Sequence, residues 1–445
     1  MVRRSRLRSA GQPMLESSIA GSNNSDERTY RLLTRRLIPF LMLCYVIAYL
    51  DRINVGLAKL QMSSDLGFTE KVFGFGAGIF FLGYILFPVP SNLLMYRIGA
   101  RRWIGSLMIM WGVISGSMAL VATPTQFFAL RFLLGLAESG FYPGIILYLT
   151  QWFPNQRRAH TLSLFQASIA LAGIIGGPLS GWILDHWQGD EHLRAWQWLF
   201  LLEALPAVLA GVAALCYLDN KIADARWLSS EQKALLARNL AHDDTARPSG
   251  APIRPVLSDL RVWGLGAVVF GLATGIYAIS FWMPTLLRES GLHSNTEIGW
   301  LSAIPNVVAG VGMVLVARSS DARRERRWHV AGAAFVGAAG LLGSVLLPHH
   351  PALVLSCLTL AALGVMSALP VQWSFLTAFL GGSGAAAAIG LINSVGNLGG
   401  MFSPVVIGWL KDQTHTLNAG IYTIATCVAV SAIIALSYPA RLVNR

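Results

Sequence analysis

The chain has 445 residues, of which 54% are hydrophobic and only 13% charged, and its mean hydropathy is +0.54. A soluble globular domain carries about 25% charged residues. The composition therefore excludes one and indicates a polytopic membrane protein, whose apolar runs of about 20 residues are long enough to span as helices. Hydrocarbon offers the backbone no water, so each span must satisfy its own hydrogen bonds. The formal net charge of +12 would point to nucleic acid in a soluble protein. No basic–aromatic motif accompanies it here, so nucleic acid is not an expected partner and the excess reads as a topology signal. Cys44, Cys216, Cys357 and Cys427 each fall in a separate apolar run, with no metal-ligand or redox spacing, and read as packing residues.

In chain order, residues 1–36 read as a disordered cytosolic tail, polar to about Thr29 and rich in arginine at its start. The first apolar run begins too far in, and is too long, for a cleaved signal peptide. Spans are predicted at about 37–59, 72–96, 103–122, 126–150, 161–185 and 196–218. A polar stretch follows at 219–261. In it Ser229-Ser230-Glu231-Gln232 resembles a capping box ahead of Leu235, Leu236 and Leu240 at helical spacing, which predicts a short amphipathic surface helix. Pro248, Gly250, Pro252 and Pro255 then read as linker. Six further spans are predicted at about 262–286, 297–317, 329–347, 352–369 (extending to 380), 384–410 and 419–438.

Arginines crowd the connections on one side: Arg97, Arg101 and Arg102; Arg157 and Arg158; Arg323, Arg324, Arg326 and Arg327. The opposite loops carry little charge. Both termini are therefore expected in the cytoplasm, which needs an even number of spans. An internal repeat supports two halves: Arg101-Arg102-Trp103 and Arg326-Arg327-Trp328 each enter the third helix of a half. The expected architecture is all-α, with twelve transmembrane helices in two six-helix bundles, 37–218 and 262–445, flanking a site near the bilayer midplane.

Four ionisable residues, Asp51, Arg52, Arg131 and Glu138, stand inside apolar runs. Each costs roughly 2.5–3.5 kcal/mol at a helix centre on insertion scales, so such groups usually pair, face a cavity and act on a charged solute or proton. Arg131 and Glu138 are seven residues apart and so share one helix face. Asp51 lies about fourteen residues into its helix, roughly 21 Å at ~1.5 Å per residue, a depth that Arg131 can match from an antiparallel neighbour. The expectation is an Asp51–Arg131 pair with Glu138 deeper; a purely structural ion pair is the alternative. With both acids ionised the four groups sum to zero. Protonating Asp51 and Glu138 frees two arginines, and an anionic carboxylate can then bind, so anion and proton favour each other. Arginine itself stays charged and cannot carry the proton. Arg52 must point about 100° away from Asp51 and is the first choice for the substrate carboxylate; pairing with Glu138 or a structural partner is the other reading.

Several stretches together resemble the major facilitator superfamily and, within it, the anion:cation symporters: Tyr49-Leu50-Asp51-Arg52-Ile53-Asn54, Phe80-Phe81-Leu82-Gly83-Tyr84, Arg131 to Gly144, Trp152-Phe153-Pro154, and Asn393 to Gly400. The resemblance runs from about Leu37 to Asp412. It implies the major facilitator fold, alternating access, and proton-coupled uptake of a small carboxylate, as in D-galactonate, tartrate or aromatic-acid carriers. It puts Tyr49, Tyr84 and Asn393 at substrate-lining positions; Gln372, Tyr142, Gln166 and Asn397 are further polar candidates, each also a possible interhelical hydrogen-bond partner. Tyr96 stands where the family has an acidic residue, and Pro370 to Ser374 departs from the family's apolar–aromatic pattern. Glycines on the fifth helix (Gly173, Gly176, Gly177, Gly181) and the eleventh (Gly390, Gly396, Gly399, Gly400) predict close helix approach. The fifth-helix pattern also resembles an antiporter signature, which keeps an efflux exchanger open; a transporter-like anion sensor is a further rival. The expected partners are a small organic anion, protons and the lipid bilayer of the cell's inner membrane. No cofactor beyond the coupling proton is expected, and the working unit is expected to be a monomer.

Overall fold

The computed structural model describes residues 12–187, 193–245, 258–347, 349–379 and 382–444. The first half comprises α1 (Gln12–Leu66), α2 (Glu70–Leu86), α3 (Pro88–Ile98), α4 (Ala100–Ser117), α5 (Pro124–Ser139), α6 (Phe141–Thr150), α7 (Asn155–His186) and α8 (Ala195–Tyr217). The second comprises α10 (Leu260–Glu289), α11 (Asn295–Arg323), α12 (Arg327–Leu346), α13 (Pro351–Phe379), α14 (Gly382–Thr414) and α15 (Asn418–Ser437), closed by a short α16 (Ala440–Val443). Between them lies α9 (Ser230–Thr245). Among the described residues, eleven helical spans are long and apolar enough to cross a membrane, and the bent pair α2–α3, counted as one span, makes twelve.

Two expected spans prove to be broken. The second bends by 51° between α2 and α3, where Pro88 and Pro90 cannot continue the hydrogen-bond ladder of the preceding turn. The fourth is interrupted at Gly140, between α5 and α6, two residues after Glu138. Of the disordered tail expected over 1–36, residues 12–36 are instead helical, since α1 already runs from Gln12, and residues 1–11 lie outside the described residues. Tyr30, Leu33 and Leu37 fall at a helical spacing and are all buried, and Glu27 pairs with Arg157 at 2.9 Å. The polar composition hid an amphipathic stretch that packs on its neighbours. By contrast, the linker helix is present with reciprocal caps. The Ser229 N–H donates to Gln232 Oε1 at 3.0 Å, and the Gln232 N–H to Ser229 Oγ at 3.2 Å. The prolines at 248, 252 and 255 lie outside the described residues.

The halves meet through helices that are equivalent in the repeat. The fifth helix of the first half, α7, packs on the second helix of the other, α11; α14 packs on α2 in the same manner. Glycines make both crossings close. A Cβ on Gly177 would sit 2.5 Å from the Gly299 carbonyl oxygen, and one on Gly299 would sit 2.2 Å from that of Gly177. A Cβ on Gly74 would sit 2.2 Å from the Pro404 carbonyl oxygen. The fifth- and eleventh-helix glycines thus hold contacts as expected, except Gly390, whose added Cβ would meet open space.

Hydrogen bonds and ion pairs that join the halves cluster toward the end opposite the termini. Asp185, at the end of α7, takes the N–H of Thr296 (2.7 Å), the Asn295 amide side chain (2.6 Å) and the Ser294 hydroxyl (2.9 Å) at the start of α11. Asp412, near the end of α14, takes the N–H groups of Glu70 and Lys71 at the start of α2, both at 3.0 Å. Each is a carboxylate facing a helix N-terminus, where exposed N–H groups and the dipole favour negative charge. Lys411 adds bonds to Glu70 (2.9 Å) and Glu289 (2.7 Å). This end of the molecule is closed.

Candidate functional site

The four ionisable residues come together inside the first half, and all are buried: Arg131 0%, Asp51 1%, Glu138 2% and Arg52 5% exposed. Their framework is the α2–α5 crossing. A Cβ on Gly135 would sit 2.0 Å from the Phe80 carbonyl oxygen, and one on Gly83 would sit 2.4 Å from that of Phe132. Only glycines at these two positions let the backbones approach so closely. The contact sets Phe80 and Tyr84 against the face of α5 that carries Arg131 and Glu138.

The expected Asp51–Arg131 pair is not what forms. Arg52 Nη2 donates to Glu138 Oε2 at 3.0 Å. Asp51 Oδ1 accepts from the Ser115 hydroxyl of α4 at 2.9 Å. Arg131 Nε donates to the Gly76 carbonyl at 3.3 Å. Glu138 is therefore the acid that meets Arg52. The reason is the ~100° step between neighbours on a helix: Arg52 is the residue turned to α5, which leaves Asp51 facing α4. The alternative reading of Arg52, a pair with Glu138, is the arrangement present.

The set is held but not fully satisfied. Asp51 Oδ2, Glu138 Oε1, Arg52 Nε and Arg131 Nη2 are buried without a hydrogen-bond partner among the described residues. Aromatic rings supply part of what is missing. The Arg52 guanidinium lies 4.6 Å from the Tyr84 ring centroid, 5.3 Å from Phe80 and 5.6 Å from Tyr49, and Arg131 lies 4.9 Å from the same Phe80 ring. Cations are attracted to the negative faces of such rings, more strongly when water is excluded. Among the described residues no cluster of His, Cys, Asp and Glu could hold a metal ion.

The polar candidates divide. Tyr49 borders a cavity between the halves, together with Asn54, Ser180, Ser302 and Asn306. Tyr84 is buried against Arg52. Gln372 is 1% exposed and its Nε2 lacks a partner. Asn393 is exposed on α14, and Gln166 donates to the Tyr142 hydroxyl at 3.0 Å. Three groups escaped the sequence reading. Tyr277 on α10 faces Arg52 from the other half, and nothing in its sequence surroundings marks it. Lys59 is 4% exposed and pairs with Glu70. Glu203 on α8 is 4% exposed and bonded to Ser180. An acid inside an apolar run is the same signal that marked Glu138.

Two halves that pack through matching helices, are closed at one end and hold buried paired charges near a cavity between them define a membrane transporter. Residues 41–404 match the Major Facilitator Superfamily, and the chain belongs to that family. It is 44% identical over 417 residues to “Putative metabolite transport protein NicT” of Pseudomonas putida, covering 94% of this chain and 95% of that one. It is 46% identical over 416 residues to “Putative tartrate transporter” of Agrobacterium vitis, with 93% and 95% covered. A “Quinolone resistance transporter” of Acinetobacter baumannii is 39% identical over 414 residues, with 93% and 95% covered. Among solved structures, the inward open xylose transporter XylE from Escherichia coli matches with a TM-score of 0.72 at 14% identity, covering 91% of this chain and 96% of that one. That likeness is one of fold.

Proposed function

We infer that the protein takes up a small organic carboxylate together with protons, tartrate being the first compound to test. The observation that carries the reading is the buried Arg52–Glu138 pair at 3.0 Å beside the half-satisfied Arg131. When Glu138 is ionised, Arg52 is occupied. A proton on Glu138 cancels the pair's attraction and leaves Arg52 free to grip a carboxylate with its planar fork. Asp51, held by a single hydroxyl, is the second acid. Protonation of both makes the site net positive, so an anion binds with protons rather than against them. Tyr84, Tyr49 and Tyr277 would then frame the carboxylate, and Gln372 and Asn393 would come from the second half. The relatives named for tartrate support the substrate class. The arginine-rich loops support cytoplasmic termini in a bacterial inner membrane, so that the closed end faces outward.

The test is calorimetry of L-tartrate binding to purified protein in buffers of different ionisation enthalpy, which counts protons taken up on binding. At least one proton per tartrate is expected, with affinity falling as pH rises. Binding with no proton uptake would contradict the reading. A second reading, proton-driven efflux, has one observation in its favour: the relative named for quinolone resistance, together with the glycine pattern of α7. Tartrate accumulation driven by outside acid separates the two.

A further inference from the structure

Glu203 lies on α8, outside the four-residue set, and no role above uses it. Its carboxyl is 4% exposed. Oε1 accepts from the Ser180 hydroxyl of α7 at 2.6 Å, and Oε2 has no hydrogen-bond partner among the described residues. Neither Lys, Arg nor His pairs with it among the described residues. The other side chain against it is Asn54 of α1, 1% exposed, whose Oδ1 and Nδ2 are likewise unsatisfied. Asp51, one turn before Asn54, is the charged group that faces Glu203 from α1, and Ser180 is the polar group that faces it from α7. An ionised carboxylate here has the Ser180 hydroxyl and the Asn54 amide to favour it, but no cation, and it has an acidic neighbour. Such burial costs several kcal/mol unless the charge is paired or neutralised. A proton on Oε2 removes the charge and creates a donor for Asn54 Oδ1, which satisfies two orphaned atoms in one step.

The position connects this carboxyl to the gate. Ser180 and Asn54 both line the cavity between the halves. Ser180 is flanked on α7 by Gly177 and Gly181, the glycines that press on Gly299 and Asn295 of α11, and five residues on is Asp185, which binds the start of α11. Separation of α7 from α11 would bring water from that end to the cavity and to the Ser180–Glu203–Asn54 junction.

We propose that Glu203 is an additional proton site of the transport cycle, shielded from water while the Asp185 end is closed and brought into proton exchange with the outside when that end opens. The proposal deepens the proton-coupled reading and rests on it for its part in transport; the presence of the proton is testable without any substrate.

Infrared difference spectroscopy of the purified, substrate-free protein reads protonated carboxyls directly through their C=O stretch. At pH 7 the wild type should show a protonated-carboxyl band that is missing from Glu203→Gln. Ser180→Ala removes a donor that favours the ionised form, so the band should persist to higher pH than in wild type. This second variant keeps the assignment open to test if the glutamine variant does not fold. Asp185→Asn, which weakens the closed end, should make the band disappear at lower pH than in wild type. A band unchanged in Glu203→Gln, or unmoved by Ser180→Ala, would place the proton elsewhere and overturn the proposal. A band unmoved by Asp185→Asn would separate Glu203 from the gate and equally overturn it. None of these results depends on tartrate, so failure here is distinct from failure of the calorimetric test of function.

Discussion

At the scale of single residues, Arg52 and Glu138 carry the argument. Arg52→Lys keeps the charge but loses the planar fork. It should weaken tartrate binding by about 1–3 kcal/mol, the range for hydrogen bonds to charged groups, measurable as a higher Kd in calorimetry with folding intact. Unchanged affinity would move the carboxylate to Arg131. Glu138→Gln mimics the protonated acid and should release Arg52 permanently. Tartrate binding should then survive at high pH, where the wild type loses it, and retention of the wild-type pH dependence would exclude Glu138 as the controlling acid. The sequence made all four site residues visible, because an ion in an apolar run needs a reason to be there. It did not reveal the pairing. Asp51 and Arg52 differ by one position, and which of them turns to α5 depends on helix rotation, which only packing fixes. Tyr277 had no chance of being seen, since its importance lies in facing Arg52 across the two halves.

At the scale of elements, the close crossings are the sensitive points. Gly299→Ala places a methyl 2.2 Å from the Gly177 carbonyl oxygen, where backbone cannot yield as a side chain would. Overpacking of this kind costs about 1–3 kcal/mol, and here the cost falls on the closed arrangement alone. A cysteine placed at Ser302, which lines the cavity, in a background lacking the four native cysteines, should then react faster with a membrane-impermeant thiol reagent added from the closed end. Unchanged labelling would mean that α7 and α11 do not gate this end. A second element-scale device is the start of α12, in the loop between spans. Burial works against the charge of the Glu325 carboxyl. The backbone N–H of Trp328, the His329 side chain, the Asn444 side chain and the backbone N–H of His329 outweigh it, and hold the carboxyl below its usual range. The stabilisation is therefore present above the ordinary carboxylate range and is lost as pH falls through the lowered value. Glu325→Gln should destabilise by about 0.3–1 kcal/mol at neutral pH, the usual worth of a charge at a helix terminus. Denaturant unfolding in micelles should show that difference shrinking in acid. Helix breaks were less legible than helix ends: Pro88 and Pro90 sat in an apolar run that looked continuous, whereas the Ser229–Gln232 cap announced α9 correctly.

At the scale of the whole molecule, twelve spans and two related halves followed from composition and repeat, because lipid leaves the backbone so few options. The state of the molecule did not follow. Closure at one end comes from Asp185 and Asp412 reaching helix N-termini more than 100 residues away in sequence, and no local pattern records such contacts. The central claim is that the buried acids of the first half convert a proton gradient into movement of an organic anion. The most direct measurement is tartrate uptake into right-side-out vesicles with the outside made acid, for wild type and Glu138→Gln in parallel. The account predicts that the wild type accumulates tartrate above its external concentration and loses this when the pH gradient is collapsed, while Glu138→Gln exchanges tartrate but only equilibrates it. Accumulation by Glu138→Gln equal to wild type, or wild-type uptake indifferent to the pH gradient, would contradict it.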